Sequence, residues 1–121
     1  MAKKKATPIV DNDELEAVIH VVRGQRVMLD ADLARLYGVT TAALNKAVSR
    51  NKERFAEDFA YHLTQREVMN LISQNVISRS GSGGRRKRPW VFTEQGVAML
   101  SSVPRSKTAA RVNVEIMRTF V

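Results

Sequence analysis

The spacing of apolar residues divides the chain into short stretches with strand periodicity and longer stretches with helix periodicity. Val- and Ile-rich runs on either side of Gly24 predict a small β-hairpin that pairs residues 17–23 with 26–29. Apolar and polar side chains alternate over residues 58–63, which predicts a further strand. Residues 90–92, before a predicted helix, form a fourth short strand.

Other segments carry apolar residues three or four positions apart and are predicted as helices. Asp30 is a candidate N-cap for the first helix, and Gly38 ends it because glycine adopts positive φ at little cost. Thr64 and Glu67 have the spacing of a capping box, and Thr93 is a further candidate cap. The predicted helices cover residues 31–37, 65–74, 94–103 and 106–121. A further predicted helix is capped by Thr40 or Thr41 and runs to about residue 51.

The last predicted helix carries one apolar seam. Its members, at spacings of four, three and four, are Ala110, Val114, Met117 and Val121. The seam could pack into the domain's own core or form a homodimer contact, and the sequence leaves both open. Because the pattern runs to the last residue without a helix stop, we expect the natural protein to continue beyond it.

Length and charge predict one basic domain. The 121 residues fit a single domain, with residues 1–12 as a flexible basic tail and 13–121 as the folded part. Twenty Lys and Arg residues against twelve Asp and Glu give a net charge of +8. Such an excess attracts polyanions, so we expect nucleic acid as partner before an anionic membrane or an acidic protein.

Candidate enzyme chemistry is sparse. The absence of cysteine excludes disulfides and thiolate metal sites, and neither a membrane-spanning run nor a secretory signal is visible, which fits a cytoplasmic protein. His20 and His62 have no partner at metal-ligand spacing. Asp30 and Asp32 are better explained as a helix cap and a first-turn acid than as a metal pair. We expect no enzyme activity, metal, cofactor or small-molecule substrate.

The stretch from Asp30 to Asn51 is typical of a helix-turn-helix. Two short helices that cross steeply need a small residue where they approach, and Ala34 supplies it. Gly38 provides the positive φ of the turn, and we expect Val39 to plug the turn with its apolar side chain. An ordinary helical hairpin that stops at a glycine would use the same physics, so this alternative stays open.

A helix-turn-helix would place the second helix in the major groove of double-stranded DNA. Asn45 is the strongest candidate for base contact, because an Asn amide can pair bidentately with adenine. Arg50, Lys52 and Arg54 are expected to bind phosphates. A solvated helix face without a function is the alternative. The candidate DNA-binding residues of this region are Thr40, Thr41, Asn45, Lys46, Ser49, Arg50 and Lys52.

A second candidate element is the loop predicted at residues 78–88, in which glycine and serine alternate with basic residues. Leading into strand 90–92, it would act like the wing of a winged helix, along the DNA backbone or in the minor groove. A disordered solubilising loop is the alternative. Trp90 is expected to anchor the core and not to stack on a base. The candidate contacts of the wing are Arg85, Arg86, Lys87 and Arg88.

Three sequence blocks resemble the KilA-N superfamily of phage and bacterial DNA-binding domains, in particular the phage "open reading frame six" N-terminal domain branch. They are RGQRVMLDADLARLYGV from Arg23, LNKAVSRNKERFAEDF from Leu44 and FTEQGVAMLSSV from Phe92. The resemblance covers about residues 13–121. It implies a compact α+β domain at the N-terminus of a phage, prophage or mobile-element protein.

The predicted fold is therefore α+β, with a small hairpin, a helix-turn-helix, a winged-helix-like basic loop and C-terminal helices. The expected function is sequence-specific recognition of double-stranded DNA in transcription or phage regulation, by a possible homodimer through the last helix. Two alternatives stay open. One is a module that binds an acidic protein, and the other is the DNA-targeting module of a nuclease-associated protein that uses the acids near Asp30.

Overall fold

The computed structural model describes residues 12–77, 88–100 and 107–120. Within these ranges the fold is α+β, as the sequence predicts, with one four-stranded antiparallel sheet and six α-helices. The strands are β1 (Ile19–Val22), β2 (Gln25–Leu29), β3 (Ala60–His62) and β4 (Trp90–Thr93). The helices are α1 (Asn12–Ala17), α2 (Asp30–Tyr37), α3 (Thr41–Arg50), α4 (Gln65–Ser73), α5 (Glu94–Leu100) and α6 (Lys107–Phe120), and a 3-10 turn, Lys52–Arg54, follows α3.

The strand order is β1-β2-β4-β3, so β4 lies between two strands from earlier in the chain. The predicted hairpin is confirmed as the antiparallel pair of β1 and β2. Phe92 of β4 is paired with Met28 of β2 on one side and with Ala60 of β3 on the other. Because successive strand residues point to opposite faces, Phe92 and Val91 project to different sides of the sheet.

Each face of the sheet is covered by its own hydrophobic cluster. The larger cluster joins Met28 and Phe92 to buried residues of α1, α2, α3, α5 and α6. The smaller cluster joins Val27 and Val91 to Leu71 of α4. The sheet therefore separates α4 from the other five described helices, and α3 belongs to the five-helix side.

Polar contacts attach α6 to the N-terminal half of the chain. The buried Tyr37 hydroxyl of α2 donates a hydrogen bond to Asn113 Oδ1 of α6, and burial raises the pKa of Tyr37. The Arg26 guanidinium of β2 donates to the carbonyl oxygens of Phe120 at 3.0 Å and Thr119 at 3.4 Å. A cation that binds the last carbonyls of a helix also interacts favourably with its dipole.

Several predicted helix starts and stops are confirmed. Gly38 has φ 78° and ends α2, and Thr40 caps α3 by accepting a hydrogen bond from the Ala43 N–H at 3.0 Å. Thr64 and Glu67 form the complete capping box at the start of α4. These signals are local, which is why the sequence is sufficient to locate them.

Two local predictions are wrong. Helix α1 covers residues that the sequence assigned to the tail and to the first hairpin strand, and β1 begins only at Ile19. Asp30 is not the N-cap of α2, because the helix already includes it and Leu29 holds the cap position without a side-chain bond. The predicted tail at residues 1–11 and the predicted helical residues 101–106 lie outside the described residues.

The core-facing side of α6 differs from the predicted seam, whose role the sequence leaves open. The core of α6 consists of Ala109, Val112, Ile116 and Phe120 together with Asn113. Of the predicted seam, Ala110 is exposed, Val114 is 50% exposed and Met117 is half-buried, while Val121 lies outside the described residues. Helix α6 therefore buries a different set of residues from the predicted seam, and of the described seam residues only Met117 packs against the larger cluster.

The buried hydrogen bond between α2 and α6 should contribute measurably to stability. Tyr37→Phe leaves Asn113 Oδ1 without its donor, so we expect the free energy of unfolding in urea to fall by about 1–3 kcal/mol. Tyr61→Phe is the matched control, since the Tyr61 hydroxyl is buried without a partner among the described residues. Its removal should leave stability unchanged or raise it, and equal losses in the two variants would contradict this assignment.

The pairing of Arg23 with Glu67 predicts an acid-sensitive contribution to stability. The guanidinium donates at 2.7 and 3.0 Å and, with the Thr64 N–H, lowers the pKa of Glu67 from 4.5 to about 2. A lowered carboxylate pKa stabilises the fold at pH values above the ordinary pKa of 4.5. This contribution is lost as the pH falls from 4.5 towards 2. In Glu67→Gln and in Arg23→Met, the melting temperature should fall less than in the wild type as the pH decreases across this range. A pH dependence like that of the wild type in both variants would refute the pairing.

Candidate nucleic-acid interface

The turn between α2 and α3 is closed by backbone hydrogen bonds at Gly38. The Gly38 N–H donates to the Arg35 carbonyl at 3.1 Å, and the Val39 N–H donates to the Ala34 carbonyl at 2.9 Å. Ala34 is buried, as predicted. Val39 is 40% exposed, so the prediction that it plugs the turn is wrong. The left-handed backbone of Gly38 and the packing of α2 and α3, not an apolar plug, define this turn.

Helix α3 has one covered side and one open side. Leu44 and Val48 are buried in the larger cluster. The exposed positions are Ala42, Ala43, Lys46, Ser49 and Arg50. Of the candidate residues in this region, Thr40, Lys46, Ser49, Arg50 and Lys52 are thus exposed, whereas Thr41 and Asn45 are half-buried.

Asn45 does not face outward, contrary to the expectation from the sequence. Its Nδ2 donates to Asp30 Oδ2 at 3.0 Å, and its Oδ1 is buried without a partner among the described residues. A bidentate contact with adenine needs both amide atoms at the surface. The predicted orientation is therefore wrong, and the open side of α3 is centred on Lys46 instead.

The Asp30 carboxylate is the buried polar group of this region. It is 4% exposed and accepts three hydrogen bonds. Oδ1 accepts from the Ala31 N–H at 2.7 Å, and Oδ2 accepts from Asn45 Nδ2 at 3.0 Å and from the Trp90 N–H at 3.2 Å. Three donors offset much of the cost of removing a carboxylate from water. No sequence pattern predicts this site, because Trp90 is far from Asp30 along the chain.

The predicted basic loop lies almost entirely outside the described residues, and the same applies to its Arg85, Arg86 and Lys87. Arg88 is described and exposed, just before β4. Its carbonyl oxygen lies 3.1 Å from His62 Nδ1, which donates to it in the appropriate tautomer. Arg88 therefore lies beside β3, two residues before Trp90, whose N–H binds Asp30.

Trp90 and His62 form an aromatic pair next to Arg88. Their ring centroids are 4.2 Å apart and the rings are tilted by 39°. Trp90 is half-buried and packs against the larger cluster, in line with its expected role as a core anchor. His62 is exposed on β3, and no sequence pattern predicts that it lies close to Arg88.

The remaining titratable residues near α2 form no metal site in the described part of the chain. Burial lowers the pKa of His20, and burial raises the pKa of Asp32. No group of three His, Cys, Asp or Glu side chains that could hold a metal ion occurs in residues 12–77, 88–100 and 107–120. None of the helices in these ranges is long and apolar enough to cross a membrane.

Comparison with known proteins gives one match. The model of the ORF6N domain matches residues 17–103, a range that includes the whole sheet and α2 to α5. No curated protein and no solved structure matches the chain. The predicted resemblance to the "open reading frame six" branch is confirmed by this match. Because the matched range is more than half of the sequence, the chain belongs to the ORF6N domain family.

Proposed function

We propose that this domain binds double-stranded DNA by inserting the open side of α3 into the major groove. The observation that carries the proposal is the division of α3 into a buried apolar side and an exposed side with Lys46 and Arg50. Helix-turn-helix domains present their second helix in this way. The net charge of +8 supplies the long-range attraction to phosphates.

The exposed residues of α3 suit different parts of this contact. The small side chains of Ala42 and Ala43 near the N-terminus would allow the helix to approach the groove closely. Lys46 and Ser49 lie on the same side and can donate hydrogen bonds to base edges. Residues at the two ends of α3 would bind the backbone. These are Thr40, Thr41, Arg50 and Lys52, with Arg85, Arg86, Lys87 and Arg88 as a second contact.

Membership in the ORF6N family supports a phage-type protein, and we propose sequence-specific recognition in transcription or phage regulation as its role. We propose a cytoplasmic binding domain without catalysis or cofactor. The nuclease alternative receives no support at Asp30, since this carboxylate is buried and already accepts three hydrogen bonds. Binding to an acidic protein remains the alternative that charge alone would also permit.

The salt dependence of duplex binding tests which surface meets DNA. Lys46→Gln, Arg50→Gln and Arg88→Gln should each weaken binding and reduce the slope of log K against log salt by up to about 0.9. Arg66→Gln is the matched control, because Arg66 is exposed on α4 across the sheet and should not contribute. If Arg66→Gln weakened duplex binding as much as the other variants, the proposed face would be contradicted. If the wild-type protein did not bind the duplex at low salt, an acidic protein would be favoured as its partner.

We propose, second, that two copies associate through the exposed apolar stripe of α6. The observation that favours this is the exposure of Ala110 and Val114, beside the half-buried Met117 at the edge of the larger cluster. Most DNA operators are read by twofold-symmetric dimers, and an isologous contact needs a self-complementary patch. Arg111 and Arg118 are exposed beside the stripe, and Arg118 is paired with Glu115 at 3.5 Å.

Sedimentation equilibrium tests the association. Because the stripe is apolar, a higher salt concentration should leave the dimer intact while it weakens DNA binding. Val114→Glu should abolish association at every salt concentration. Met69→Glu, at an exposed position of α4, is the matched control and should leave it intact. A monomer at all concentrations, or a dimer that tolerates Val114→Glu, would contradict this stripe as the contact.

A further inference from the structure

Three separate segments of the chain meet at one oxygen atom. Asp30 Oδ2 accepts from Asn45 in the middle of α3 and from the backbone of Trp90 at the start of β4, at 3.0 and 3.2 Å. The other oxygen of the carboxylate accepts from the Ala31 N–H at the start of α2. The carboxylate therefore links α2, α3 and β4 in the interior, where water does not compete for its hydrogen bonds.

The two elements joined at this atom are those of the proposed DNA contact. Asn45 immediately precedes Lys46, the centre of the open side of α3. Trp90 follows Arg88, a candidate phosphate contact, by two residues. Two hydrogen bonds to a single acceptor thus connect α3 to the start of β4, next to Arg88.

Apolar packing alone leaves the orientation of α3 less well determined. Leu44 and Val48 attach the helix to the larger cluster, but hydrophobic contact is non-directional and tolerates small rotations about the helix axis. A hydrogen bond weakens steeply as its angle departs from linearity, so it resists such rotation. Buried polar groups often cost stability compared with apolar ones and can instead select one arrangement.

We propose that Asp30 is a positioning residue for DNA recognition, which acts through Asn45 to hold α3 in fixed orientation to β4. This inference rests on the proposed function. Asp30 and Asn45 do not touch DNA in this arrangement. Their contribution is the alignment of Lys46 and Ser49 with base edges while Arg88 lies on the DNA backbone.

The test compares two duplexes, one selected by the wild-type protein from random sequences and one of random sequence. Asn45→Ala removes only the donor from α3 and leaves Asp30 bonded to Ala31 and Trp90. Its affinity for the selected duplex should fall about tenfold, the scale of one specific base contact, and its affinity for random DNA should stay within twofold. Asp30→Asn, which keeps the side chain's shape, should lose selectivity similarly.

Asn51→Ala is the matched control. Asn51 Nδ2 donates to the Ala47 carbonyl at 2.8 Å, so this variant loses an Asn side-chain bond at the end of α3 that does not reach β4. It should keep the selectivity of the wild type. Retained selectivity in both Asn45→Ala and Asp30→Asn, or an equal loss in Asn51→Ala, would overturn the positioning role. A wild-type protein that binds neither duplex would instead refute the proposed function.

A measurement without DNA covers the case in which a variant is poorly folded. Residual dipolar couplings report the orientation of the α3 amides relative to the sheet. In Asn45→Ala these couplings should shift or shrink for α3 while those of β2 and β4 stay constant, and in Asn51→Ala α3 should keep its orientation. Couplings of α3 that are the same in Asn45→Ala and the wild type would overturn the inference irrespective of binding.

Discussion

The pairing of β4 with β2 is the contact on which the rest of the structure depends. Its register sets Leu29 opposite Val91 and Met28 opposite Phe92. Because Asp30 follows Leu29 directly, this register brings its carboxylate to the N–H of Trp90. A shift by one residue would turn each β4 side chain to the other face and would break this hydrogen bond. The central strand therefore determines both the two-sided core and the position of α3.

From this strand the elements of the candidate interface follow in order. Residues of β2 lead directly into α2, the glycine turn leads into α3, and Asp30 then binds α3 to the sheet. Which side of α3 faces solvent therefore depends on long-range contacts as well as on the amphipathic pattern of the helix. Arg26 and Tyr37 extend the same framework to α6, so the N-terminal hairpin and the last described helix belong to one unit.

The sequence was sufficient where a signal acts within a few residues. The Thr40 cap, the glycine at 38 and the capping box at Thr64 depend on neighbours in the chain, and all three were located correctly. The inward orientation of Asn45 was missed because its partner carboxylate is held by a strand far along the chain. The sequence pattern around Asn45 is the same whether its side chain faces solvent or a buried acid.

Periodicity also cannot decide between two apolar sides of one helix. The seam at Ala110, Val114 and Met117 has good spacing, yet Val112 and Ile116 fill the core. Only the packing of α6 against α1, α2 and α5 distinguishes the sides. Gly96 is a further case in which a long-range contact decides. A Cβ at this position would collide with the Phe59 carbonyl oxygen, and the sequence shows the glycine but not this close approach.

Backbone NMR during titration with a short DNA duplex at low ionic strength tests the proposed interface most directly. Binding through the open side of α3 should shift the amide resonances of Lys46, Ser49 and Arg50, together with Arg88 beside the basic segment. Resonances of α4, across the sheet, should stay in place. Shifts confined to α4 or α6, or none at all at low salt, would contradict DNA recognition by this side of α3.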